Sequence, residues 1–227
     1  MKATDFIVEG YREAGRVNVK SALTPISLQA RRERLSDLKV ALKEAIATST
    51  DFLMTHDVEV TLTWYVTEAD RYQSHTAADV DNVIKPLLDA ATGPDGIMID
   101  DNQIQSIRAY WVTPGTPGPG FELDFQALDR EDVVTRRGTV FVEFASDTCY
   151  ILPGIQPEAW PVLVAGYRKS LEAKEDLRRL GAPEHMVHSL SPLARPWPSQ
   201  RLRMQKFPVF PQTHDFGPVP ERFQDLL

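Results

Sequence analysis

The clearest pattern along the chain lies at residues 58–66, where apolar and polar side chains alternate. Val58, Val60, Leu62, Trp64 and Val66 point one way, and Glu59, Thr61, Thr63 and Tyr65 the other. A period of two predicts a half-buried strand. The preceding segment, 27–47, has a helical period instead: Leu28, Leu35, Leu38, Leu42, Ala45 and Ile46 share a face, with Ser27 as the expected N-cap. Residues 5–8 (Asp-Phe-Ile-Val) predict a short first strand ending at Gly10. A polar loop is expected over Glu68–Thr76, then a second helix over 81–91 through Val83, Ile84, Leu87, Leu88 and Ala91. Gly93-Pro94-Asp95-Gly96 reads as a turn. Strands follow over 103–112 and 121–128, separated by the Pro/Gly loop Pro114–Gly120.

Beyond these lie one more apolar strand-like run, Thr139–Leu152, and a helix over 157–180 with Gly181 as its stop. Pro161 places the start of that helix near Val162. Eight prolines between 183 and 220 predict an extended, irregular tail. The order of elements gives an α+β fold: a small, mostly antiparallel or mixed sheet with two helices, followed by a helical and Pro-rich C-terminal extension. Residues 1–128 form the expected first domain and 129–227 the extension.

The 227 residues, with 42% hydrophobic and 25% charged side chains, exclude a wholly disordered or fibrous chain. A single cysteine, Cys149, excludes an intrachain disulfide and a cysteine metal cage, and its apolar strand setting predicts a core residue. The N-terminus lacks the apolar stretch of a secretory signal, and 18 apolar residues nowhere run together, so a cytoplasmic protein without a membrane span is expected. The net charge of −7 is unevenly spread. Residues 51–150 carry a balance of −12, against +3 before and +2 after. Carboxylates gathered in one third of a chain either coat a surface or hold cations.

Their positions point to the second use. Asp79 and Asp81 stand two apart just before a helix, so in extended backbone they share a face. Lys85 follows Asp81 by four positions, one helical turn on. Asp100 and Asp101 end a segment that the Gly93–Gly96 turn can fold back beside that helix, and Asn102 and Gln103 follow. Oxygen ligands of this kind suit Mg2+, or Mn2+, rather than zinc. A carboxylate-held Mg2+ suits phosphoryl chemistry, and a nearby ammonium stabilises the developing charge. An EF-hand is excluded, because its sixth loop position would be Ile84 instead of glycine. The bland alternatives are an N-cap for Asp81 or Asn82, a simple turn for Asp100–Asn102, and an ion pair of Lys85 with Asp81 or Asp89.

The runs Asp79-Val80-Asp81-Asn82-Val83-Ile84-Lys85, Leu88-Asp89-Ala90 and Asp100-Asp101-Asn102-Gln103-Ile104 resemble the RusA-type Holliday-junction resolvase family. The resemblance spans about residues 5–128. It implies a Mg2+-dependent endonuclease that cuts branched DNA as a homodimer. The family's two leading catalytic aspartates fall on Asp79 and Asp81, its lysine on Lys85 and its third aspartate on Asp101, with Asp100 the alternative. Arg31, Arg32 and Arg34 on the first helix, and Arg201, Arg203 and Lys206 in the tail, are the expected DNA contacts, the tail's aromatics Trp197, Phe207 and Phe210 adding stacking surface. Two rivals stay open: a nuclease for flaps or forks, and an inactive metal- or DNA-binding module. His185 and His188 have metal-like spacing but no third ligand, and read as a surface pair.

Overall fold

A computed structural model of the chain describes residues 1–73, 78–113, 120–189 and 195–218. The chain divides into two compact units, Met1–Arg136 and Arg137–Leu227.

The first unit opens with β1 (Ile7–Tyr11) and β2 (Arg16–Ser21), an antiparallel pair. Then follow α1 (Arg32–Ser49), β3 (Phe52–Met54), β4 (Val58–Tyr65), α2 (Glu68–Tyr72) and α3 (Val80–Ala90). The unit closes with β5 (Ile104–Val112), β6 (Gly120–Ala127) and β7 (Val133–Thr135). Five strands form one sheet in the order β1-β2-β6-β4-β5, antiparallel except for the β4–β5 pair. Parallel neighbours need a crossover, and α2 and α3 supply it. β3 and β7 pair separately, which ties residues 133–135 to the first unit.

One face of the sheet is the core. Val58, Val60, Leu62 and Trp64 alternate with half-buried polar residues as the sequence predicts, and Val17, Val19, Leu123 and Phe125 continue the apolar face. Leu38, Leu42 and Ile46 of α1 and Val83, Leu87 and Leu88 of α3 pack against it. Each such side chain contributes about 1.5–3 kcal/mol of burial. The opposite face carries acids that the composition left unplaced. Asp124 takes Arg16 at 2.7 Å, Glu122 takes Lys20 at 3.4 Å and Glu59 takes Arg108 at 3.0 Å. These three acids of the −12 segment therefore neutralise strand cations. The Asp124 hydrogen bond and charge hold the Arg16 guanidinium pKa above its usual value.

Several expectations need correction. The first helix does not start at Ser27. It begins at Arg32, because the Ser27 hydroxyl accepts the Gln29 N–H in a local turn and the Leu28 N–H is given to the Asn82 carbonyl. Leu28 is accordingly 46% exposed and outside the core. β2 has no counterpart in the sequence reading, and the first strand lies at Ile7–Tyr11 instead of 5–8. The polar loop after β4 contains α2, capped by the Thr67 hydroxyl. Its residues 74–76, and residues 114–119 of the Pro/Gly loop, lie outside the described residues.

In the second unit the run 139–152 is a hairpin. β8 (Val140–Ala145) and β9 (Thr148–Leu152) pair antiparallel about Asp147, whose φ of 59° makes the reversal. α4 (Trp160–Arg179) starts two residues earlier than Pro161 suggested, because proline is tolerated in the first turn, where the backbone N–H needs no partner. The described residues of the tail, 183–189 and 195–218, contain α5 (Glu184–Ser189), α6 (Ser199–Met204) and β10 (Val209–Phe210), the last parallel to β8; residues 190–194 and 219–220 lie outside the described residues. Val142, Phe144, Tyr150 and Val164 form this unit's core, and Cys149 is fully buried. Among the described residues no helix is long and apolar enough to cross a membrane.

Candidate active site

The site is built on the polar stripe of α3. Val83, Ile84, Leu87 and Leu88 turn inward, so Asp81, Lys85 and Asp89, spaced by four, lie along the opposite side. Asp79 is the N-cap residue by backbone geometry, yet its carboxylate makes no capping hydrogen bond. Asp81 is exposed in the first turn, where a negative charge is favoured by the helix dipole.

Pro86 sits inside this helix and leaves the carbonyl of Asn82 without its i+4 donor. That carbonyl accepts the Leu28 N–H at 2.7 Å. The contact that shortens α1 therefore also repairs α3, so the lysine-proline step is accommodated without ending the helix.

After α3 the chain reverses in very little space. Ile97 N–H and Met98 N–H both reach the Ala91 carbonyl, at 2.7 and 3.3 Å, and Gly93 N–H reaches Met98 O at 2.9 Å. A Cβ on Gly96 would stand 2.2 Å from the Ala91 oxygen, so only glycine fits there. Ile97, Met98 and Ile99 are fully buried and carry the chain back past α3 to Asp100 and Asp101.

Gln103 fixes that returning segment. Its amide is fully buried and uses all its hydrogen-bonding capacity. Oε1 accepts from Ile99 N–H at 2.6 Å and Asp100 N–H at 3.0 Å; Nε2 donates to Met54 O at 3.0 Å and His56 O at 2.7 Å. The turn holding both aspartates is thus bolted to the β3–β4 connection.

The two adjacent aspartates consequently differ. Asp100 is 5% exposed and its carboxylate caps the following turn, accepting the Asn102 N–H at 3.1 Å. Asp101 is half-buried and accepts a charge-assisted hydrogen bond from Lys85 Nζ. Lys85 also donates to Asp89 Oδ1 at 2.6 Å, and Lys39 of α1 donates to Asp89 Oδ2 at 3.1 Å. Burial works to lower the Lys85 pKa, but the bonds from Asp101 and Asp89 outweigh it and the pKa is raised. Lys85 is therefore an ammonium at neutral pH.

The structure brings Lys85 and Asp101 together and sets Asp79 and Asp81 at the head of the same helix. Among the described residues no three His, Cys, Asp or Glu side chains are gathered closely enough to hold a metal ion. Arg31, Arg32 and Arg34 are exposed at the start of α1. Arg201, Arg203 and Lys206 belong to the second unit, where Arg203 is committed to Glu143 at 2.8 Å and Ser199 at 3.2 Å. The Arg203 bond holds the Glu143 carboxyl below its usual range. Sequence reasoning missed Gln103 and Lys39. Gln103 had a usable signal, since an acceptor three residues before a Gln is the spacing of a capping box. Lys39 had none, because its partner lies fifty positions away.

The family model of endodeoxyribonuclease RusA matches residues 17–123, which run from β2 into β6 and include every residue of this site. No curated protein matches the chain.

Proposed function

We propose that this chain, whose residues 17–123 belong to the RusA endodeoxyribonuclease family, resolves four-way DNA junctions by paired hydrolytic nicks. The family is one of junction-resolving nucleases, generally dependent on a divalent metal. The observation that carries the reading to particular residues is the Lys85–Asp101 contact, formed on the same stripe of α3 as Asp81.

The donor chemistry fits a hard divalent ion. Asp79, Asp81 and Asp101 offer carboxylate oxygens, and the Asp79 carboxylate is not spent on capping. These three side chains are not gathered closely enough to form a metal cluster in the structure and would have to close together to hold Mg2+ or Mn2+, which would supply Lewis acidity at the scissile phosphodiester. Asp100, buried and engaged with its own turn, shapes the loop that presents Asp101. Lys85 brings a positive charge at neutral pH beside Asp101, which would stabilise the negative charge that develops on the phosphate as water attacks in line. Arg31, Arg32 and Arg34 offer guanidinium groups for the DNA backbone, and Arg201 and Lys206 add positive charge in the other unit, where Arg203 would have to leave Glu143 to join them. Paired nicks need two active sites, which a homodimer would supply.

The test is a panel of end-labelled substrates: a four-way junction, a fork, a flap and a linear duplex, each with Mg2+, with Mn2+ and with EDTA. The proposal expects metal-dependent nicks at symmetry-related positions of the junction, from a particle of twice the chain mass by light scattering. Cutting confined to flaps or forks would replace the substrate, and no cutting of any DNA with either metal would remove the hydrolytic reading.

A further inference from the structure

α2, joining β4 to α3, places Arg71 and Tyr72 beside Trp111 at the end of β5. The Arg71 guanidinium carbon lies 4.8 Å from the centre of the Tyr72 ring and 4.7 Å from that of Trp111. Trp111 is backed by Trp64, stacked at 4.3 Å. Among the described residues no acid pairs with Arg71. Asp70 beside it accepts the Thr67 hydroxyl at 2.6 Å. Tyr72 is 68% exposed. Val66, Glu68, Arg71, Tyr72, Trp111 and Thr113 line an open cleft of about 250 Å³.

A clamp that only fastened the end of the sheet would need Arg71 over Trp111. It would not need a tyrosine ring left largely in solvent. An unpaired guanidinium between two π faces, with a small cleft beside it, has the composition of a stacking platform for a planar ring. The rim adds acceptors and a hydroxyl for the ring edge, from Glu68 and Thr113.

We infer that this cleft takes one base unstacked at the branch of the DNA substrate, laid on the exposed ring of Tyr72 that Arg71 holds in place. The inference rests on the junction-nuclease reading. Tyr72 precedes Asp79 by seven positions, so the cleft lies at most about 25 Å from the head of α3. That is within reach of bases next to a cleaved phosphate. Branched DNA supplies unstacked bases, whereas a paired duplex does not, so the cleft would discriminate between them.

The experiment measures binding in EDTA, so that no DNA is cut. A fluorescent four-way junction and a linear duplex of the same sequence are titrated with wild type, Tyr72→Ala, Arg71→Ala and Tyr72→Phe. Stacking predicts that both alanine variants bind the junction about tenfold more weakly, with duplex affinity within about twofold of wild type and Tyr72→Phe unchanged. Thermal denaturation of each variant confirms folding, and Tyr72 is exposed enough that its truncation should leave the melting temperature in place. Unchanged junction affinity in both alanine variants overturns the inference. So does an equal loss on both DNAs with a shallower salt dependence, which marks a phosphate contact. A wild type that binds the junction no better than duplex overturns the junction reading itself, whereas failure confined to the variants leaves that reading standing.

Discussion

Replacing Gln103 with methionine removes hydrogen bonding at nearly constant volume. Four backbone groups lose their partners, three of them buried (Ile99 N–H, Asp100 N–H and Met54 C=O) and one half-buried (His56 C=O). Each orphaned buried group costs about 1–3 kcal/mol, and local relaxation recovers part of that sum by letting some groups reach water or one another. The expected loss is about 3–4 kcal/mol of unfolding free energy, a large share of the roughly 5–15 kcal/mol typical of a domain. Urea denaturation measures it, followed by tryptophan fluorescence, to which Trp64 and Trp111 of the first unit and Trp160 and Trp197 of the second all contribute. The same substitution frees the turn that presents Asp101 to Lys85. Nicking of DNA by the protein still folded should therefore fall by about tenfold or more, since small misplacements at a reacting centre are costly. A stability loss under about 1 kcal/mol would refute the claim that the Gln103 amide holds this turn, because the lost partners would then have been replaced without strain.

Other outcomes follow from the same geometry. Gly96→Ala drives a methyl group into the Ala91 carbonyl and should cost about 2–3 kcal/mol, read as a fall in melting temperature; an unchanged melting temperature would show that the turn can open. The raised pKa of Lys85 means that its contribution to stability is fully present below its ordinary value of 10.5 and is lost as pH climbs through the higher folded value. The stability difference between wild type and Lys85→Met should therefore be constant through neutral pH and shrink above about 10.5; a difference that grows in alkali would contradict the Lys85–Asp101 pairing. Burial pushes the Cys149 thiol up to about 12, so a thiol reagent at pH 8 should label the protein in urea and leave the native protein untouched; prompt native labelling would place the hairpin in solvent.

The parts of the fold that could be read from the sequence are those where one local rule dominates. β4 announces itself because one face is buried and the other is not, so the period of two survives. α3 does so because its apolar positions recur at helical spacing. The failures occur where distant groups decide. Ser27 looks like an N-cap, but the Asn82 carbonyl freed by Pro86 takes the neighbouring N–H of Leu28, and the helix begins five residues later. β2 begins directly after the turn at Gly15, and its strand character depends on pairing with β6, 100 to 110 positions away. The C-terminal prolines suggested an irregular tail, yet Trp197 pairs with Cys149 of β9 and Pro208 accepts the Phe141 N–H, contacts that no local pattern encodes.

At the candidate site the residue types and their order were legible, because Asp79, Asp81, Lys85, Asp100 and Asp101 lie within 23 positions of one another. Their division of labour was not. Whether Asp100 or Asp101 faces the helix depends on the tight reversal at Gly96 and on Gln103, whose partners come from the β3–β4 connection. Nor could the sequence show that three acids of the middle third, Glu59, Glu122 and Asp124, are taken up by strand cations.

The most direct test of the account compares wild type and Asp81→Asn on a mobile four-way junction and on linear duplex of the same sequence, with Mg2+ throughout. Asp81 is exposed and makes no packing contact in the core, so the amide variant should fold as the wild type does. The account predicts paired, symmetry-related nicks in the junction by wild type, intact linear duplex, and at least a hundredfold loss of cutting in the variant, on the scale of removing a principal transition-state stabiliser. Undiminished cutting by Asp81→Asn, or equal cutting of duplex and junction by wild type, would contradict it.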